Sequence, residues 1–129
     1  MTNFRKWFDR AKYDLGTAKD MLKMGRLLYV MFMCQQTLEK GLKAYYLFYK
    51  KEIPPYIHNL VKLSDCCELK SSMTREQIEI LERLNPFYIT ARYPEDHYDL
   101  EKICSTSSCQ EVLTKTEELL TWIEAKMKY

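Results

Sequence analysis

The segment Leu27 to Lys50, "LLYVMFMCQQTLEKGLKAYYLFYK", constrains the fold more than any other. Its first half, "LLYVMFMC", is apolar nearly all the way round a helix, and such a helix has to be covered on several sides. It therefore reads as the central helix of a bundle, and the rest of the chain has to supply its neighbours. With 129 residues the chain is one domain's worth, residues 1–129, with material for a single core.

The flanking segments fit that requirement. From Asn3 to about Met24, the residues Phe4, Trp7, Phe8, Ala11, Leu15, Ala18 and Leu22 recur at helical spacing. Lys6, Arg10, Lys12, Asp14 and Lys19 fall mostly elsewhere. Thr2 or Asn3 can cap this helix, and Gly25 ends it. Pro54-Pro55 stops the central helix, and a shorter one follows from about Asn59 to Leu69. In "SSMTREQIEILERL", Thr74 and Gln77 form a capping-box pattern ahead of Ile78, Leu81 and Leu84. Asn85-Pro86 opens a short further turn, expected to end at Arg92 because Tyr93 precedes Pro94. The last helix starts among Ser105 to Ser108 and carries Val112, Leu113, Leu119, Leu120, Trp122, Ile123 and Met127. The expected fold is all-α, an up-and-down antiparallel bundle of four to five helices.

Composition narrows the function. No apolar run approaches the roughly 20 residues that span a bilayer, and the start lacks a signal peptide's apolar core, so the expected location is cytoplasmic, with no membrane. Five cysteines, two of them adjacent at Cys66 and Cys67, suggest reduced thiols rather than a disulfide framework. A formal net charge of +2 cannot create the broad positive field of a non-specific duplex binder, so any nucleic-acid contact has to be local. Gly16, Gly25 and Gly41 are isolated, which leaves no phosphate-binding loop. Cys104 and Cys109 lack a second pair at zinc-like spacing. No metal or other cofactor is implied.

Two features carry candidate chemistry. On the central helix Gln36, Glu39, Lys40 and Lys43 fall within a stripe of roughly 100°, opposite Val30, Cys34, Leu38, Gly41, Tyr45 and Phe48. The stripe reads either as a solvated edge, with Glu39 and Lys43 in the favourable i,i+4 order, or as a groove wall or subunit contact. The other is "ITARYPEDHYDLEK", in which Arg92 stands five residues before His97. An imidazole can take the proton of a ribose 2′-hydroxyl, and a guanidinium can stabilise charge on the phosphate as it becomes pentacovalent. The other reading has Arg92 neutralising Glu95 or Asp96 or capping helix-end carbonyls, with His97 solvated. Tyr45, Tyr46, Tyr49, Tyr88, Tyr93 and Tyr98 can stack on bases or supply core and interface area. His58 reads as structural, anchoring a turn through a backbone hydrogen bond.

"FMCQQTLEKGLKAYYLF", then Pro54-Pro55, "HNLVKL" and "PFYITARYPED", together resemble the HEPN-domain proteins of the single-domain bacterial and archaeal type. The resemblance runs from about Trp7 to the C-terminal Trp122-Ile123. It implies a helical bundle that forms a homodimer, often beside a minimal nucleotidyltransferase partner in toxin–antitoxin systems. Many members are metal-independent ribonucleases whose motif is an arginine, four to six residues, then a histidine, which Arg92 and His97 match. On this reading Arg92 and His97 are catalytic, Tyr93, Tyr98, Lys40 and Lys43 contact RNA or nucleotide, and Gln36 and Glu39 line a groove or meet a partner. The alternative is a non-catalytic protein-interaction module that presents the polar stripe or the Tyr93 to Tyr98 segment.

Overall fold

The computed structural model describes residues 3–89 and 94–127, with the backbone alone for Ile89, Asp96 and His97. It is all-α among these residues. The α-helices are α1 (Phe4–Lys23), α2 (Leu27–Lys50), α3 (Leu60–Cys66), α4 (Arg75–Leu84), α5 (Pro94–Lys102) and α6 (Thr106–Lys126), with 3-10 turns at Lys70–Ser72 and Asn85–Ile89.

Helix boundaries follow local chemistry. The Asn3 side chain accepts from the Arg5 amide at 2.8 Å and so caps α1. Gly25, at φ 74°, ends it in a Schellman turn, in which the Arg26 and Gly25 amides donate to the Met21 and Leu22 carbonyls. The expected capping box on α4 is present, with Thr74 and Gln77 each satisfying the other's amide, and Ser105 and Ser108 do the same for α6.

Helix α2 spans Leu27–Lys50 as expected, although what ends it is Lys51, left-handed at φ 57°, rather than Pro54-Pro55. Two boundaries differ from expectation. Helix α3 stops at Cys66, since Glu68 occupies a left-handed position at φ 60° and the Leu69 amide folds back to the Ser64 carbonyl. Pro94 opens α5 rather than closing a helix, as proline at a first helical position costs no backbone hydrogen bond, and this adds a sixth helix.

Helices α1, α2, α4 and α6 alternate in direction, giving the expected up-and-down bundle. Phe4 packs against Phe48 with ring centroids 5.1 Å apart, so α1 and α2 are antiparallel. Lys12 pairs with Glu124 and Lys19 with Glu117, which runs α6 antiparallel to α1. Arg83 pairs with Glu111 and Lys115 with Glu76, which sets α4 antiparallel to α6. Because α4 is half as long as its neighbours, α2 and α6 also meet directly across the bundle, running parallel. Gly41 lies at that crossing, where an added Cβ would come 2.7 Å from Leu120 Cδ1.

The core is built from Phe8, Leu38, Leu42, Leu60, Leu63, Leu81, Leu84, Phe87, Val112 and Ile123, all buried, with α2 at its centre. Cys34, expected in the core, is fully buried there, and burial pushes its thiol pKa up to about 12. All five cysteines are free thiols. Among the described residues no helix is long and apolar enough to cross a membrane.

The Gly41 crossing sets a graded expectation for thermal unfolding. Gly41→Ala should be close to neutral, because moving the end of Leu120 offsets a helix-propensity gain of about 1 kcal/mol. Gly41→Leu should destabilise by about 1–3 kcal/mol, as overpacking does. Equal tolerance of both substitutions would show that the helices do not cross this closely.

Candidate functional site

The polar residues of α2 do not form a solvated edge. Gln35, Glu39 and Lys43 follow one another at intervals of four, on one face of the helix, and all three are buried. Gln36 and Lys40 beside them are half-buried. The difference from expectation arises because the 51–58 loop and the Asn85–Ile89 turn cover this face.

Glu39 is the hub. Lys43 Nζ donates to its Oε2 at 2.9 Å, and Gln35 Nε2 donates to Oε1 at 3.0 Å. His58 Nδ1 lies 3.1 Å from each of the two carboxylate oxygens. Burial acts to raise the Glu39 pKa. The hydrogen bonds from Gln35, Lys43 and His58, with the Lys43 charge, outweigh it and hold the carboxyl below its ordinary range. An ionised carboxylate only accepts hydrogen bonds, so the proton between the two groups sits on His58 Nδ1. Gln35 also donates to the His58 carbonyl at 3.1 Å and accepts from Gln36 Nε2 at 2.8 Å. The His58 ring, expected to anchor its turn through a backbone hydrogen bond, meets the Glu39 carboxylate, and it is the His58 carbonyl that Gln35 holds.

Aromatic rings enclose this cluster. His58 stacks on Tyr88, centroids 4.8 Å apart and planes 17° apart, and meets Tyr56 edge-on at 5.2 Å. Lys43 Nζ lies 5.9 Å from the Trp7 ring centroid and 5.8 Å from that of Tyr56. The Asn85 side chain accepts from the Leu60 amide at 2.7 Å, fixing the turn that carries Tyr88 to the start of α3. On the opposite flank Lys40 pairs with Asp14 of α1, itself buried. Sequence reasoning set Asp14 on the polar side, yet its spacing from Ala11 and Ala18 places it on the buried face of α1.

The remaining candidates fall elsewhere. Arg92 and Tyr93 lie outside the described residues, as does the His97 side chain, whose backbone is the fourth residue of α5. Tyr98 on the same helix is exposed, with Lys102 Nζ 4.4 Å from its ring centroid. Gln35, Asp14 and His58 are the members of the network that sequence reasoning missed. The four-residue spacing of Gln35, Glu39 and Lys43 was a signal for the first. The His58 contact joins residues 19 apart and had no local signal. Among the described residues no group of three His, Cys, Asp or Glu side chains is placed to hold a metal ion.

The described residues thus form a helical bundle whose central helix buries a glutamine, a glutamate and a lysine beside a histidine from the loop that follows it. The HEPN domain family model matches residues 4–126, and the chain belongs to that family. Two crystal structures share the fold. That of TT1696 from Thermus thermophilus has a TM-score of 0.83 at 23% identity, covering 98% of this chain and 99% of that one. That of ST0689, an archaeal HEPN homologue, has a TM-score of 0.75 at 21% identity, covering 99% of this chain and 100% of that one. No curated protein matches this chain.

Removing the hub charge should be costly. Glu39→Gln should lower the unfolding free energy at neutral pH by about 3 kcal/mol, since it leaves Lys43 buried without its counter-ion. Because the folded-state Glu39 pKa is depressed, its contribution is present above the unfolded pKa and is lost as pH falls through the folded value. The gap between wild type and variant in denaturant titrations should therefore close below about pH 4. A gap that stays constant from neutral pH into that acidic range would contradict the assigned ion pair.

Proposed function

We propose that this HEPN protein binds RNA as a homodimer and cleaves it without a metal, with Arg92 and His97 as the catalytic pair, in a toxin–antitoxin system beside a minimal nucleotidyltransferase partner. The observation that carries this reading is the family match across residues 4–126, combined with an arginine and a histidine at the spacing of the family's cleaving motif.

In this mechanism His97 takes the proton of a ribose 2′-hydroxyl, whose oxygen attacks the adjacent phosphorus. Arg92 stabilises charge on the pentacovalent phosphate. The P–O5′ bond breaks, the 5′-oxygen takes up a proton, and a 2′,3′-cyclic phosphate remains. The exposed Tyr98, with Tyr93, supplies ring area for base contacts. Lys40 and Lys43, proposed as RNA contacts, are each already paired, with Asp14 and Glu39 respectively. Glu39 holds the loop through His58, and the half-buried Gln36, which donates to Gln35, is proposed with it as a groove or partner contact. The rival reading, a non-catalytic interaction module, rested in part on a solvent-facing stripe. The burial of Glu39 and Lys43 removes much of that surface.

Wild type, Arg92→Ala and His97→Ala should be compared on single-stranded RNA in the presence of a chelator. Wild type is expected to leave 2′,3′-cyclic phosphate ends, and each substitution to slow cleavage by about 100-fold or more. Absence of cleavage by wild type, or undiminished cleavage by both variants, would reject the catalytic pair in favour of the interaction module.

A further inference from the structure

Between α2 and α3, the chain presents a second place where RNA chemistry converges. Pro54 and Pro55 restrict the backbone ahead of Tyr56, and the Ile57 amide closes a tight turn onto the Pro55 carbonyl at 2.9 Å. This rigid turn holds Tyr56 out, 89% exposed. A large aromatic ring held in water by a stiffened loop gives up apolar burial and needs little further ordering to meet a ligand.

His58, two residues on, is held on three sides. Glu39 fixes its Nδ1 edge, Tyr88 covers one face, and Tyr56 meets the ring edge-on. With the proton on Nδ1, Nε2 of the neutral ring is an acceptor. Among the described residues it has no hydrogen-bond partner, and 31% of the side chain is open to solvent. The carboxylate holds the tautomer and orientation of the ring, so that in its neutral form this nitrogen is aimed outward as a hydrogen-bond acceptor. In RNA, the ribose 2′-hydroxyl is a donor for such an acceptor and is absent from DNA.

We propose that Tyr56 and His58 form a contact site for single-stranded RNA, in which Tyr56 stacks on a base and His58 Nε2 accepts a hydrogen bond from a ribose 2′-hydroxyl. The site rests on the RNA-binding part of the reading above and adds to it a subsite distinct from the Arg92 and His97 pair. Glu39 is a positioning residue here, acting through His58. The same geometry gives the protein a means of preferring RNA over DNA.

The test measures binding of a short oligouridylate and of its deoxyuridine counterpart, which differ only in the 2′-hydroxyl, in a His97→Ala background so that RNA is not cut. Adding Tyr56→Ala, at a position 89% exposed, with folding checked by thermal unfolding, should weaken binding of both oligomers by about five-fold or more. Adding His58→Ala should weaken oligouridylate by about five-fold and leave the deoxy oligomer unchanged. Equal losses for both oligomers with His58→Ala would overturn the hydroxyl contact. Binding to Tyr56→Ala as tight as to its parent would overturn the subsite while leaving RNA binding elsewhere intact, and this arm decides if His58→Ala fails to fold. A parent that binds neither oligomer would overturn the RNA-binding reading itself, and this site with it.

Discussion

The structure depends on one carboxylate. Glu39 sits midway along a helix that is apolar over most of its surface, and it is buried together with the lysine one turn further on. An unpaired charge there would cost several kcal/mol, so the neighbours have to satisfy it. They do so from two directions: Gln35 and Lys43 from within α2, and His58 from the loop that follows it. That demand pulls the 51–58 loop onto α2. Through the stacking of His58 on Tyr88, it also fixes the turn that leads into the segment containing Arg92. One buried polar cluster thus links the packing of the bundle to both regions that carry candidate chemistry.

The apolar part of the fold solves a different problem. With α4 only 10 residues long beside helices of 20 to 24, an ordinary four-helix arrangement would leave the end of α2 uncovered. Helix α6 closes that gap by crossing α2 directly, which requires the small residue Gly41 opposite Leu120. The short α3 and α5, and the 3-10 turn between α4 and α5, fill the remaining edges.

Much of this was legible in the sequence, and the exceptions share a cause. The periodicity of α1, α2 and α6, the capping box at Thr74 and the start of α6 among Ser105 to Ser108 are local signals, and the structure bears them out. Lys51 and Glu68 end helices in left-handed conformations that these residue types do not advertise, and the context of the surrounding chain imposes them. Pro94 was ambiguous because proline both blocks the preceding residue and favours the first turn of a new helix. The polar stripe of α2 was found by spacing, but its inward orientation was not, since the groups that cover it come from residues 56 to 58 and 85 to 88. Long-range polar contacts have no periodicity to read. The candidate pair Arg92 and His97 was legible only through resemblance to a family, which supplies a motif and not a geometry.

The tautomer of His58 tests the organising role of Glu39 most directly. Nitrogen NMR of the imidazole at about pH 9, where an ordinary imidazole of pKa about 6.5 is neutral, distinguishes a proton on Nδ1 from one on Nε2. A proton held on Nδ1, lost as a preference in Glu39→Gln, is the expected result. A ring protonated on Nε2, or one averaging between the two forms as in free histidine, would contradict the carboxylate-centred network on which the loop, the turn and the proposed RNA contacts all depend.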